Sequence, residues 1–130
     1  MDTYSITERI IGCAFRVHNV LKSGFLEKVY ENALAIEIRE NAHFHVEQQC
    51  PIPVFYRNAI VGEYFADICV EGKILIEIKA VRRILKEHEA QLVHYLTATK
   101  LDDGLLINFG PSVEVKHKYR LFTKPEKESR

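Results

Sequence analysis

Residues 74–79 read Ile-Leu-Ile-Glu-Ile-Lys, and this stretch restricts the fold more than any other. It is β-branched and apolar enough for a buried strand, yet it carries two charges. Side chains alternate between the faces of a strand. Ile74, Ile76 and Ile78 therefore share one face, and Leu75, Glu77 and Lys79 share the other. A carboxylate and an ammonium stand two residues apart at the end of an oily strand. A buried unpaired charge costs several kcal/mol. Taken alone, the pair reads as a satisfied ion pair at a sheet edge.

The chain around it has the size of one domain with one core, at 130 residues. Apolar residues make up 47% and charged residues 28%, as in an ordinary globular domain. No apolar run approaches the ~20 residues of a membrane span, and the first residues lack the pattern of a signal peptide. Cys13, Cys50 and Cys69 are far apart and form no CxxC. They suit neither a disulfide framework nor a zinc site, so a reducing, cytoplasmic setting is expected. Net charge is zero, which advertises no partner, but its distribution is uneven. Lys116, Lys118, Arg120, Lys124, Lys127 and Arg130 face only Glu126 and Glu128, so the last stretch is net +4 and the rest net −4. The expectation is a single domain over residues 1–122 and a basic, flexible tail over 123–130.

The apolar spacing places the elements. Ser5-Ile-Thr-Glu8 has the form of a capping box before a periodic run, predicting a helix over about 5–21. A second helix is expected from Phe25 to Asn41, with Glu27 and Tyr30 near one face. Pro51 and Pro53 mark an extended edge or bulged segment over 48–56. A long strand or a bent pair of strands comes next over 60–70, with Val61, Glu63, Phe65, Asp67 and Cys69 on one face. Glu71-Gly72-Lys73 turns into Ile74–Lys79 and brings Asp67 towards Glu77. A third helix is expected over Glu87–Thr99, then a turn at Asp102-Asp103-Gly104 and a buried strand over 105–109. An edge strand over 113–119 turns Glu114, Lys116 and Lys118 outward and could support a homodimer. The order is ααβββαββ.

Asp67 and Glu77 at adjacent strand ends repel each other unless a cation lies between them. Oxygen donors favour Mg²⁺ or Mn²⁺ over zinc. A metal-bound water has a lowered pKa, and the ion neutralises charge on a phosphate. Lys79 beside them could orient that water or offset charge in the transition state. His43 and His45 lack further zinc ligands, and Tyr30 is equally suited to bonding a site carboxylate or to packing.

These residues carry a resemblance. Asp67 followed by Glu77-Ile78-Lys79 resembles the motif of the PD-(D/E)XK nuclease superfamily, although Ala66 stands where many members have proline. Gln91-Leu-Val-His-Tyr95 matches the QxxxY motif of its RecB-like and Cas4-like branches. Gly24-Phe-Leu-Glu27-Lys-Val-Tyr30 is similar to the signature of the small GxxExxY proteins placed in that superfamily. The resemblance covers about residues 5–119. It implies an α/β (α+β), restriction-endonuclease-like core: a central mixed β-sheet flanked by helices. It implies Asp67, Glu77, Glu27 and the Ile78 carbonyl as metal ligands, and Lys79 as the catalytic lysine. Gln91 and Tyr95 would position the DNA backbone or that lysine. The implied activity is Mg²⁺- or Mn²⁺-dependent hydrolysis of DNA. The alternatives are a catalytically idle nucleic-acid- or protein-binding module on the same fold, or a structural ion pair with no site.

Overall fold

A computed structural model describes residues 1–120 of the chain; the tail expected over 123–130 lies outside the described residues. Ile74–Lys79 forms β3, the middle strand of a five-stranded sheet. Around it the chain runs α1 (Thr3–Leu21), α2 (Glu27–Glu37), β1 (Val46–Tyr56), β2 (Ala59–Val70), β3, α3 (Lys86–Thr99), β4 (Asp103–Phe109) and β5 (Val113–Tyr119). The order along the sheet is β1-β2-β3-β4-β5. Only β3 and β4 are parallel; the other neighbours are antiparallel. A parallel pair needs a crossover, and α3 supplies it. The mixed sheet, the α+β class and the expected order of elements are all present.

Helices cover both faces of β3, which is why the strand is apolar on both. Ile74, Ile76 and Ile78 join the core formed with α1 and α2, including Ile10, Ala14, Tyr30 and Leu34. Leu75 joins a second core with Leu92, Tyr95 and Leu96 of α3. Glu77 and Lys79 thus belong to the α3 side. Gly104 lets α3 approach, because an added Cβ would lie 3.0 Å from Leu92 Cδ1.

Several element ends differ from the sequence reading. Asp2 caps α1, its Oδ1 accepting from the Ser5 N–H at 2.8 Å, so the helix starts before the Ser5–Glu8 box. The helical path from Glu27 widens at Ile38–Ala42 into a π-helical turn, which closes at left-handed His43 (φ 59°). Asp103 and Gly104 belong to β4 rather than to a turn, because they pair with Ile74 and Leu75. Glu114 and Lys118 of β5 are half-buried rather than turned out: Asn108 donates to Glu114 and Lys118 pairs with Glu89.

The largest departure lies in the β1–β2 hairpin. Val46 and Ile68 pack with the α1–α2 core, whereas Cys50, Ile52 and Ala66 pack with α3. Strict alternation would put all five on one side. The change occurs at Gln49, whose φ is 54°, and at Asp67 opposite it. A left-handed residue inside a strand rotates the succeeding residues onto the other face. Asp67 therefore sits at a kink, not in a regular ladder.

Candidate active site at the end of β3

The kink gives Asp67 and Glu77 their geometry. Regular pairing of β2 with β3 runs from Val70↔Ile74 to Ile68↔Ile76. Beyond it the side chains take over from the backbone. The Asp67 N–H donates to Glu77 Oε2 at 2.8 Å, and the Ile78 N–H donates to Asp67 Oδ2 at 2.7 Å. Each carboxylate is locked by the other strand's backbone. The Glu77 and Asp67 side chains also interact with each other, and the other oxygen of Asp67 accepts a long hydrogen bond from Gln49 at 3.4 Å.

Both acids are held against their charged forms. Burial, then the charge of Asp67, pushes the Glu77 carboxyl up to about 8. Burial also raises Asp67; the Ile78 N–H opposes the rise, and the charges of Glu31 and Glu27 add to it. Lys79, half-buried on the same strand, works in the opposite direction on Glu77. Tyr95 is buried against the pair: burial raises its phenol, and the charges of Glu77, Tyr64 and Asp67 raise it further. Gln91 is exposed one turn earlier on α3.

The acid on α2 divides between two residues. Glu27, expected in the ligand set, is exposed at the first turn of the helix and reaches Asp67 only through its charge. Glu31, one turn on, is the buried acid, at 3% exposure. It pairs with Lys28 at 3.1 Å and accepts from Gln48 at 2.8 Å and Gln49 at 3.0 Å. The Gln49 amide also reaches Asp67, so it bridges the two acids. Sequence reasoning passed over Glu31 and Gln49. The available signal was Glu31 at i+4 from Glu27, on the same helical face.

Two other polar side chains, Tyr30 and His88, take structural parts. Tyr30 is buried with its hydroxyl on backbone atoms, donating to the Lys22 carbonyl and accepting from the Phe25 N–H. His88 Nδ1 accepts from the Leu85 N–H at 3.0 Å and caps α3.

The donor set suits a hard cation. Two carboxylates whose charged forms are disfavoured, each with an oxygen not committed to the backbone, are the partners that a divalent ion stabilises. Among the described residues, however, no three His, Cys, Asp or Glu side chains converge closely enough to hold a metal ion. Completing such a site would require Glu27 to turn inward, a backbone carbonyl, or water.

A model of the PD-(D/E)XK nuclease superfamily matches residues 4–120. The chain belongs to that superfamily. Asp67, Glu77 and Lys79 all fall within the matched span. A solved structure, the crystal structure of SSO0001, superposes with a TM-score of 0.56 at 20% identity over 75% of this chain. At that identity the likeness shows the fold. The chain spans 52% of that protein's length. No curated protein matches the sequence. Superfamily nucleases generally use divalent metal ions. No helix among the described residues is long and apolar enough to cross a membrane.

Proposed function

We propose that the chain is a Mg²⁺- or Mn²⁺-dependent nuclease that hydrolyses DNA phosphodiester bonds. The observation that carries this reading is the interlocked pair Asp67–Glu77 at the end of β3, with Lys79 beside it. Asp67 and Glu77 hold the ion, and the Ile78 carbonyl and Glu27 are the further donors expected for it. A divalent ion held there would lower the pKa of a bound water and offset phosphate charge. Lys79 orients the attacking water and offsets charge growing on the phosphate oxygens. The water oxygen bonds to phosphorus as the bond to the leaving oxygen breaks, and that oxygen takes up a proton. Tyr95 and Gln91 position the backbone of the substrate. The free thiols at Cys13, Cys50 and Cys69 suit a cytoplasmic setting.

The test is DNA cleavage with Mg²⁺ or Mn²⁺. Asp67→Asn and Lys79→Ala should each lower the rate about a hundredfold or more, the scale of a lost positioned group. Equal cleavage by wild type and variants, or no cleavage by wild type, overturns the reading. The exposed position of Glu27 favours a second reading, a nucleic-acid-binding module that keeps the fold without catalysis. Calorimetric titration with Mn²⁺ separates the two: a nuclease binds the ion through Asp67 and Glu77, and the idle module does not.

A further inference from the structure

Between the β1–β2 hairpin and α3 lies a cavity of about 670 Å³. Ile52, Val54 and Tyr64 line it from the hairpin, and Ala90, His94 and Tyr95 from α3. It adjoins the carboxylate pair: Tyr95, which feels the charges of Glu77 and Asp67, lines it, and so does Gln91. Tyr64 is 51% exposed, and its ring lies 5.6 Å from that of Tyr95 at 37°. An aromatic pair of this kind leaves a ring face open to a third flat group.

The cavity does not end at the hairpin. A second hollow shares Val54, Thr97 and Ala98 with it and carries Arg57 and Lys100. The path thus runs from the carboxylate pair, past two tilted rings in an apolar hollow, to two cations. Phosphates suit the cations, and base faces suit the rings. A duplex cannot use the hollow, because its base faces are covered by their own stack.

We propose that this cavity seats unpaired bases of a single-stranded nucleic acid, stacked on Tyr64, whose backbone continues to Arg57 and Lys100. The inference rests on the nuclease reading and names its substrate class. Gln91 and Glu87 at the rim are placed to hydrogen-bond a base edge.

Binding of a fluorescently labelled single-stranded oligonucleotide, followed by anisotropy in chelator, tests it without any cleavage. Tyr64→Ala should weaken binding about tenfold or more, while Tyr64→Phe keeps wild-type affinity, because stacking needs the ring alone. Reversing both cations, Arg57→Glu with Lys100→Glu, should flatten the salt dependence of affinity by roughly one unit or more of slope. A duplex of the same sequence should bind more weakly and ignore Tyr64→Ala. Unchanged affinity of a folded Tyr64→Ala protein, or preference for the duplex, overturns the proposal. Binding without cleavage would overturn only the nuclease reading, and cleavage without Tyr64 dependence only this one.

Discussion

Tyr30 shows how one side chain can set the entrance to a site without joining it. Its hydroxyl donates to the Lys22 carbonyl at 2.5 Å and accepts from the Phe25 N–H at 3.2 Å. Its ring stacks on Phe109 at 4.7 Å, nearly parallel at 7°. Between these bonds Gly24 adopts φ 118°, a conformation that L side chains rarely take. The connection from α1 is thus folded back onto α2, and Glu27 begins the helix that carries Glu31. Tyr30→Phe keeps the stack and orphans two backbone groups. It should cost about 1–3 kcal/mol in urea unfolding, the scale of two lost hydrogen bonds. A loss near zero would mean that water replaces the hydroxyl. Spacing alone left Tyr30 equally suited to packing and to a site bond, because helical position fixes a face and not a partner.

At the scale of elements, the exit from β3 is held by a residue of another strand. Asn108 is fully buried in β4, in register with Lys79. Its Oδ1 accepts from the Val81 N–H at 2.9 Å, and its Nδ2 donates to the Val81 carbonyl at 2.9 Å and to Glu114 at 3.1 Å. This clamp fixes the path of the chain two residues beyond Lys79. Gly110 completes it: an added Cβ would lie 2.5 Å from the Val81 carbonyl oxygen. Asn108→Ala leaves both Val81 groups unpaired and should lower stability by about 2–3 kcal/mol at unchanged urea m-value. Gly110→Ala should displace the same connection and reduce cleavage along with stability. The elements themselves were legible, since a continuous β-branched apolar run marks β3 and a period of 3.6 marks α1 and α3, and α3 between β3 and β4 implies the parallel pair. The kink was not. Nothing in Gln48-Gln49-Cys50 signals a left-handed residue, because glutamine rarely adopts one and only packing of Cys50 and Ile52 against α3 enforces it. The i+4 step from Glu27 gives Glu31 its face but not its partners. Its partners Gln48 and Gln49 lie 17 and 18 residues away in sequence, and local spacing carries no information about them.

For the whole molecule, the buried carboxylates tie stability to pH and to divalent ions. The Glu77 carboxyl lies near 8 when folded, against an ordinary value of 4.5. Between those limits the folded chain binds more protons than the unfolded chain. Stability therefore falls as pH rises through this window, opposite to the usual behaviour of a salt-bridged acid. Asp67, also raised, works in the same direction. A divalent ion competes with protons for the same oxygens and favours the charged form. It should stabilise the protein most where protons are scarce. Thermal unfolding in chelator should thus show a midpoint several degrees lower at about pH 8 than at about pH 5, since 1 kcal/mol corresponds to roughly 3–6 °C in a domain of this size. Mn²⁺ should recover most of that loss at about pH 8 and change little at about pH 5. Glu77→Gln isolates the carboxylate: it should flatten the chelator profile and remove most of the Mn²⁺ effect. A wild-type midpoint that does not fall with pH, or a Glu77→Gln protein that keeps the wild-type slope, would show that the pair at the end of β3 does not control the proton balance of folding.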